Sequence, residues 1–386
     1  MNSFIEKKLG KFYHPIIWGI KRNWKYKHIY SGYYKKLIKK TIVDPKKIII
    51  FTPNFDSMSP SVNLIYEQLC EKGYAISIIN QFKDEKDVFN FISCIVSSVI
   101  IITSNDDPIL NVLPIRKETK IVNLWHGCGA LKKFGYSKMK EWNKSVFSFK
   151  KYQNVSLFTV SSEKVLPFYS EATGISLTRN IIKATGISRT DIFFDKKYLE
   201  ACYEKKLKLT DKKIILYAPT FRGHNLSTAF TPEFLDFEFL KEQLGSEYIF
   251  LVKRHPDTLG KHYSIPDSCK DFVFDVSSDG SISDLIVMSD ILISDYSSLF
   301  FEWCLFDKPV LFLTPDFEDY FDNRGFYIKF ELFVEKARCN NSQELVSAIQ
   351  NINNYDFSFL KQVRDDYMSA CDGHATKRII ELIENL

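Results

Sequence analysis

The sequence predicts an α/β protein with two doubly wound, Rossmann-type domains, each built on a parallel sheet that helices cover on both faces. Short apolar segments alternate with helical ones in two successive series, which start at residues 46 and 214. A lysine-rich stretch at 204–213 separates the series. The 386 residues exceed what a single domain commonly holds. Because strands that alternate with helices pair in parallel, we expect an arm at 1–45 and domains at 46–205 and 206–386.

The first series contains short apolar runs bounded by polar residues, the pattern of buried parallel strands. We expect strands at 48–51, 75–79, 99–103, 120–125 and 155–160, and a helix at 59–70. Residues 88–105 carry no charge and approach the length of a membrane-spanning helix. Asparagine, serine and threonine interrupt this stretch, so a helix end followed by the strand at 99–103 explains it better.

The second series repeats this alternation. We expect strands at 214–217, 248–252, 272–274, 290–294 and 310–313. Helices are expected at 234–244, 282–288, 299–306, 343–351 and 361–386. Ligands of doubly wound sheets bind beyond the carboxyl ends of the strands. The ligand of a chain with two such sheets is therefore expected in the cleft between them.

Positive charge is concentrated at the N-terminus. The chain has a net charge of +5, yet residues 1–40 alone hold eleven Lys or Arg and one acidic residue. Tryptophan and tyrosine interleave with these basic residues, a composition that suits an anionic membrane surface. The alternative is a solvated basic arm packed on the first domain. Nucleic acid is not an expected partner, because no recognition module follows the arm.

Several common sites and signals are missing from the sequence. The eight cysteines form no CxxC pair, which argues against a zinc site or a redox motif. The GxxxxGK[ST], GxSxG, HExxH and DxD patterns are absent, and no GxGxxG follows the first strand, so no metal or cofactor is expected. The N-terminus lacks the apolar segment of a signal peptide. We therefore expect a cytoplasmic protein, peripheral on the inner face of the cell membrane.

Polar clusters follow four expected strands at the point where each strand ends. They lie at 126–135, 218–222, 253–257 and 295–298, and a further arginine occupies a glycine turn within 323–327. Histidine, arginine, lysine and serine recur among them. These residue types, gathered at the carboxyl ends of strands, indicate an anion site with a possible base.

Two histidines are the candidate catalytic groups. His126 lies in a glycine-rich loop and titrates near neutrality, so it can take a proton from a hydroxyl. The alternative is a structural histidine that is hydrogen-bonded within the loop. His255 precedes Pro256, which favours an extended backbone. It could donate a hydrogen bond to a phosphate or cap the end of a strand.

The candidate substrate contacts come from the other clusters. Arg222 offers a planar fork that suits phosphate, with a surface salt bridge as the alternative. Ser297 and Ser298 follow Asp295 at an expected helix start, where backbone N–H groups bind anions, although such residues are also ordinary helix caps. Glu302 lies seven residues after Asp295, two turns along the same expected helix, and could bind both ribose hydroxyls of a nucleotide. The alternative is an exposed helix acid.

The remaining candidates are Thr220 and Lys253 on the substrate side, and Lys132 and Lys133 on the acceptor side. Lys253 has a solvated lysine as its alternative.

Seven segments, in order, resemble the CDP-glycerol glycerophosphotransferase family, which includes teichoic-acid primases and polymerases. They are WHG…LKKFG at 125–135, TGISRTD at 185–191, LYAPTFR at 216–222, KRHPD at 253–257, SDYSSLFFEW at 294–303, DKP at 307–309 and DYFDNRGFY at 319–327. The resemblance spans residues 45–330. The first segment reads WHGCGALKK and is closer to primase-like members than to the WHGTPLK of polymerase-like ones.

The resemblance implies a GT-B fold and a specific reaction. A polyol phosphate would pass from CDP-glycerol or CDP-ribitol to a hydroxyl of a lipid-linked or capsular glycan acceptor, with release of CMP. His126 would be the base. The positions expected at the donor phosphates are His255, Arg222, Ser297, Ser298 and Arg324. Two alternatives remain: a GT-B glycosyltransferase that uses a nucleotide sugar, and a non-catalytic nucleotide-binding or membrane scaffold.

Overall fold

The computed structural model describes residues 24–52, 60–80, 82–138, 152–223, 226–278, 280–329, 334 and 337–386. The chain forms two six-stranded sheets in these ranges, and every strand pair is parallel. The prediction of two parallel sheets is confirmed.

The first sheet has the strand order β2-β1-β3-β4-β5-β6. Its strands are β1 Asp44–Phe51, β2 Ala75–Ile79, β3 Ser98–Thr103, β4 Lys120–Asn123, β5 Val155–Val160 and β6 Ile182–Ala184. The helices of this half are α1 Ser31–Ile38, α2 Pro60–Glu71, α3 Glu85–Ile95, α4 Pro108–Val112, α5 Leu166–Thr173 and α6 Lys196–Leu209. The uncharged stretch at 88–105 is the end of α3 followed by β3, as predicted. The three-residue strand β6 was not predicted, because so short a segment shows no period.

The second sheet has the strand order β12-β11-β10-β7-β8-β9. Its strands are β7 Lys213–Ala218, β8 Tyr248–Val252, β9 Val273–Asp275, β10 Ile291–Ser294, β11 Val310–Leu313 and β12 Arg338–Cys339. The helices that follow β7 are α7 Phe237–Leu244, α8 Ile282–Met288, α9 Leu299–Trp303, α10 Phe317–Arg324, α11 Ser342–Gln350, α12 Phe359–Tyr367 and α13 Ala375–Glu384. Strands β8, β10 and β11 are buried along their whole length, as parallel strands covered on both faces must be.

Three predictions differ most from the structure. The lysine-rich stretch at 204–213 is largely the end of α6, and Lys206 there contacts Asp290 at 2.6 Å. The helix predicted at 299–306 is the short α9, which ends at Trp303. The helix predicted at 361–386 is interrupted around Gly373, where a φ of 85° favours glycine.

The last helix returns to the first half of the chain. Ile379, Ile380 and Ile383 of α13 belong to the apolar core that contains Ile48 and Ile50 of β1. Helix α13 also contacts α2. The C-terminal helices were expected with the second domain, and α13 departs from that expectation because its apolar face is buried against the first sheet.

The N-terminal arm is described only from residue 24 onward, so residues 1–23 lie outside the described ranges. Helix α1 packs on the first half: Tyr34 is fully buried, and Arg116 donates to the carbonyls of Ile38 and Thr41 at 2.6 and 2.9 Å. This part of the arm therefore matches the packed alternative. Within the described ranges, none of the helices combines the length and the apolar character needed to cross a membrane.

Candidate active site

A cavity of about 340 Å³ lies where the loop after β4 approaches the segment after β10. The loop at 125–135 forms most of its wall, and Lys138, Tyr169 and Ser298 complete it. The predicted cleft between the two sheets therefore contains a cavity, and the glycine-rich loop of His126 lines it.

The backbone fixes the ring of His126. Its Nδ1 lies 2.9 Å from the carbonyl oxygen of Ser104, which follows β3. A carbonyl only accepts hydrogen bonds, so Nδ1 carries the ring proton and Nε2 keeps a lone pair. His126 is exposed as a residue. The protein around its ring nevertheless removes part of the water that would stabilise the charged form, and this desolvation lowers the pKa of His126. The positive charge of Arg189 lowers this pKa further, whereas the hydrogen bond with Ser104 opposes the shift. A neutral imidazole with a free Nε2 can accept a proton.

The loop of His126 is held in an unusual backbone shape. Trp125 has a φ of 49°, and the side chain of Asn123 accepts a hydrogen bond from its N–H at 2.9 Å. Gly129 has a φ of 61°, and a Cβ at this position would lie 2.4 Å from the Phe301 ring of α9. Glycine is therefore required at position 129, because the loop packs directly on the second half.

The same loop pairs with the glycine turn at 323–327. The Lys133 N–H donates to the Gly325 carbonyl at 3.1 Å, and the Tyr327 N–H donates to the Leu131 carbonyl at 2.9 Å. Lys132 and Phe326 form an isolated antiparallel bridge. Lys132 and Lys133, the expected acceptor-side residues, both line the cavity. Arg324 ends α10, but its side chain is outside the described part of the structure, so its phosphate contact stays a prediction.

Arg222 is held inside the second half. Its Nε contacts Asp316 at 2.5 Å, and its Nη1 contacts Asp295 at 3.0 Å. Nη1 also donates to the Thr220 carbonyl at 2.9 Å. The guanidinium lies 4.8 Å from the Tyr320 ring centre. The guanidinium is thus held inside the protein and is not the surface salt bridge considered as the alternative for Arg222. It braces three loops, and its phosphate contact stays a prediction.

Asp295 is the centre of this cluster. Its carboxylate accepts from the Thr220 N–H at 2.9 Å and from the Thr220 hydroxyl at 2.9 Å. Burial raises the pKa of Asp295, although the charges of Arg222 and Lys132 and the hydrogen bond from Thr220 all oppose the increase. Thr220 and Asp295 were both expected at the substrate. The structure joins them to each other, and neither of them lines the cavity.

Lys253 contacts the backbone of the loop after β9. Its ammonium donates to the carbonyls of Val276 at 3.3 Å, Ser277 at 2.9 Å and Gly280 at 2.5 Å. An ammonium has three N–H donors, and three carbonyls surround this one. Lys253 therefore fastens the loop after β9. The solvated lysine considered as the alternative therefore does not apply, and the substrate contact of Lys253 stays a prediction.

His255 has the opposite proton placement from His126. The Asp257 N–H donates to its Nδ1 at 3.2 Å, so the neutral ring carries its proton on Nε2. The Phe221 ring packs against it with the centroids 4.9 Å apart. The side chain is 39% exposed, so part of the ring is open to solvent.

The segment after β10 departs from the predicted helix. Helix α9 begins at Leu299, so Asp295 precedes it and does not share a helix face with Glu302. Ser297 accepts from the Leu299 N–H at 3.2 Å, which is a cap contact, and Ser298 lines the cavity. Glu302 is only 2% exposed, so it is not the exposed acid considered as an alternative. Its ribose contact stays a prediction.

Arg189 was not singled out from the sequence, although it lies in the TGISRTD segment. Its Nε donates to Glu302 Oε1 at 2.6 Å, and Cys128 Sγ lies 3.3 Å from the same oxygen. The only sign of Arg189 in the sequence is its place in that segment, because no local pattern shows that residue 189 contacts residue 302. Within the described ranges, no group of three or more His, Cys, Asp or Glu is arranged to hold a metal ion.

Solved structures share this architecture. The wall teichoic acid polymerase TagF superposes with a TM-score of 0.75 at 20% identity, covering 95% of this chain and 94% of that one. The UDP-GlcNAc 2-epimerase of Methanocaldococcus jannaschii has a TM-score of 0.51 at 11% identity, covering 88% of this chain and 100% of that one. At these identities the likeness concerns the fold alone, which is a GT-B fold as expected.

Curated relatives are similar in sequence over most of the chain. A teichoic acid ribitol-phosphate primase of Bacillus spizizenii is 30% identical, covering 93% of this chain and 96% of the relative. A teichoic acid glycerol-phosphate primase of Bacillus subtilis is 34% identical, covering 75% and 74%. A teichoic acid poly(ribitol-phosphate) polymerase of Bacillus spizizenii is 33% identical over 88% of this chain, which spans 56% of that protein.

A single family model matches most of the chain. Residues 33–385 match the family described as CDP-Glycerol:Poly(glycerophosphate) glycerophosphotransferase. This range includes the candidate residues His126 and His255, the lysines that line the cavity and helix α13. The resemblance identified from seven segments is therefore confirmed, and the chain belongs to the CDP-glycerol:poly(glycerophosphate) glycerophosphotransferase family of transferases.

Proposed function

We propose that this chain transfers a polyol phosphate from a CDP-polyol to a hydroxyl of a teichoic acid acceptor and releases CMP. The observation that carries the proposal is the state of His126. Its Nδ1–H is held by the Ser104 carbonyl, and its ring lines a cavity that also contains Lys132 and Lys133. A base beside cationic side chains suits the attack of a hydroxyl on a phosphate.

The reaction proceeds in line at the β-phosphorus of the donor. The acceptor oxygen forms a new bond to this phosphorus, and the bond to the oxygen that bridges the two phosphates breaks. That oxygen keeps the electron pair and leaves as part of CMP. The proton of the acceptor hydroxyl passes to Nε2 of His126. Such a step depends mainly on positioning and on charge stabilisation.

The second half supplies the donor contacts in this proposal. His255 presents Nε2–H to a phosphate oxygen, because the Asp257 N–H occupies its Nδ1. Ser298, also from the second half, lines the cavity of His126. Arg222, Thr220 and Asp295 hold the segment that carries Ser298, and Phe221, which lies between Thr220 and Arg222 in the chain, packs on the ring of His255.

The relatives divide between two donors, since their names include glycerol-phosphate and ribitol-phosphate enzymes. The decisive experiment incubates the purified chain with CDP-glycerol, CDP-ribitol or a UDP-sugar and an acceptor analogue. We expect CMP from one of the CDP-polyols and none from the His126→Ala variant. Release of UDP without CMP would establish the glycosyltransferase alternative. Binding of both CDP-polyols without turnover would establish the scaffold.

The acceptor is proposed to be lipid-linked, and the enzyme to meet it at an anionic membrane surface. Trp24 is 58% exposed and Ile42 is 89% exposed at the two ends of the described arm. Between them, Lys27, Lys35, Lys36, Lys39 and Lys40 are exposed. Basic residues flanked by exposed apolar ones bind anionic membranes through both charge and insertion. The capsular acceptor expected from the resemblance has no support from the relatives named above.

A further inference from the structure

Glu302 joins three separate parts of the chain through one oxygen atom. The Nε of Arg189, after β6, donates to its Oε1 at 2.6 Å, and a second guanidinium nitrogen contacts the same oxygen. Cys128, two residues after His126, donates to that oxygen through its Sγ at 3.3 Å. The side chain of Arg189 is 17% exposed and that of Glu302 is 3% exposed. The pair is therefore largely shielded from screening by salt.

We propose that the Arg189–Glu302 pair positions His126 by fixing its loop against α9 in the arrangement used for phosphate transfer. Two contacts next to the histidine support this. Cys128 is tied to Glu302, and Gly129 packs against the neighbouring Phe301 so closely that a Cβ would lie 2.4 Å from its ring. The inference rests on the proposed role of His126 as the base.

The pair also influences the charge state of His126. The positive charge of Arg189 adds to desolvation in lowering the pKa of this histidine. Among the described residues that line the cavity, the charged ones are Lys132, Lys133 and Lys138. Burial raises the pKa values of Cys128 and Tyr169, so both stay neutral near pH 7. Arg189 therefore favours the neutral imidazole that can accept a proton, whereas Glu302 limits that influence.

The test is the pH dependence of kcat/KM for CMP release, whose acidic limb reports the base in the free enzyme. Arg189→Met removes a positive charge, so the limb should move upward by roughly half a unit to one unit. Glu302→Gln removes a negative charge but keeps an oxygen for Arg189 and Cys128, so the limb should move downward. Opposite shifts cannot come from a loss of stability alone.

Loss of position should also lower kcat by about ten- to a hundredfold in Arg189→Met, while the Kd for CDP-glycerol or CDP-ribitol stays within about twofold. Arg364→Met is the matched control, because Arg364 contacts Asp307 at 2.8 Å outside the cavity. Its limb and kcat should match those of the wild type. If Arg189→Met fails to fold, the downward shift in Glu302→Gln decides alone.

Three results would overturn the inference. An unmoved limb in both variants would leave the pair a structural contact only. A kcat within twofold of wild type in Arg189→Met would show that the loop needs no such support. Weaker donor binding in Glu302→Gln without a limb shift would make Glu302 a ribose contact instead. Full turnover by His126→Ala would refute the proposed function itself. That result differs from the three above, so the two failures can be told apart.

Discussion

At the scale of single residues, His126 and His255 hold their ring protons on opposite nitrogens. A carbonyl faces Nδ1 of His126, whereas a backbone N–H faces Nδ1 of His255. The first ring therefore presents a bare Nε2 and the second presents Nε2–H. Phosphate transfer needs one group that takes the proton of the acceptor and another that donates to the charge on the phosphates. The backbone around each ring thus assigns these two tasks.

Replacing His126 tests the first of these tasks. We expect His126→Ala to lower kcat by about 10²- to 10⁴-fold, because the acceptor hydroxyl loses its base. Donor affinity, measured by calorimetry, should persist. His262→Ala is the control, since the side chain of His262 is 85% exposed and its nearest acidic oxygen, on Glu233, is 3.7 Å away. Turnover of His126→Ala within a few-fold of wild type would refute the assignment.

Asp107 makes stability depend on pH. Burial raises the pKa of this carboxyl from 3.8 to about 7, and the hydrogen bond from Thr103 opposes the increase only in part. The folded protein therefore binds this proton more tightly than the unfolded chain does. The stability that this proton contributes to the folded state is fully present below about pH 4 and is lost as the pH rises to about 7.

Asp107→Asn should abolish this dependence, because an amide does not titrate in this pH range. Its oxygen can still accept the hydrogen bond from Thr103. Above about pH 7 we expect the variant to be more stable than wild type by a few kcal/mol, and near pH 4 to match it. Urea unfolding across this range measures the difference. Asp211→Asn, at an exposed position, controls for the loss of a carboxylate. A wild type and Asp107→Asn pair with parallel pH profiles would contradict the prediction.

At the scale of elements, the sequence predicts strands and loops better than the partners of their side chains. The buried strands were recognisable because apolar runs such as Tyr248–Val252 have a local pattern. His126 could be singled out because it follows such a strand in a glycine-rich loop. The fate of Lys253 could not, because the three carbonyls that bind it belong to residues 276–280. The Arg189–Glu302 pair joins residues 113 positions apart and leaves no local trace.

Arg222 shows what such a distant contact implies for mutagenesis. It holds Asp295 and Asp316 together, and these carboxylates belong to the segments after β10 and β11. Arg222→Ala should therefore lower the free energy of unfolding by about 3–5 kcal/mol, because buried charges lose their partner. A loss of donor affinity in the folded fraction would show that Arg222 also makes the phosphate contact expected from the sequence. Denaturant unfolding and calorimetry, run together, measure both quantities.

Arg364→Ala provides the comparison for this prediction. Arg364 contacts a single carboxylate, that of Asp307, which is 66% exposed. Exposed pairs of this kind contribute about 0–1 kcal/mol. If Arg222→Ala were as stable as Arg364→Ala but bound the CDP-polyol at least tenfold more weakly, the structural role would be refuted and the phosphate contact expected from the sequence would remain.

At the scale of the whole molecule, the two sheets are linked by more than one crossing of the chain. Periodicity predicts that residues 375–384 are helical, but it cannot tell which sheet buries the apolar face. The structure places α13 on the first core and uses Asp191 to cap it, since this carboxylate accepts from the Ala375 and Thr376 N–H groups at 3.0 and 2.7 Å. The cavity of His126 thus lies between two halves that share a C-terminal helix.

The arm determines how the membrane proposal can be tested. Deleting residues 1–40 would remove Tyr34, which is fully buried, and would damage the first half. Replacing Lys35, Lys36 and Lys39 by glutamine keeps the packed face, because all three are exposed. Each contributes about 1 kcal/mol at an anionic surface, so binding to phosphatidylserine vesicles should weaken by roughly a hundredfold. Activity on a soluble acceptor analogue should be retained.

The control replaces three other lysines by glutamine: Lys196, Lys197 and Lys208. These side chains are exposed at the two ends of α6. This variant loses the same net charge but should bind vesicles as the wild type does, because the charge is not on the arm. Binding of the wild type should also weaken with salt, since the Debye length falls from about 10 Å at 0.1 M to about 3 Å at 1 M. Equal losses in both triple variants would show that net charge alone attracts the protein. Failure of the wild type to bind vesicles at low salt would refute membrane docking, and the acceptor would then have to reach the cavity of His126 from solution.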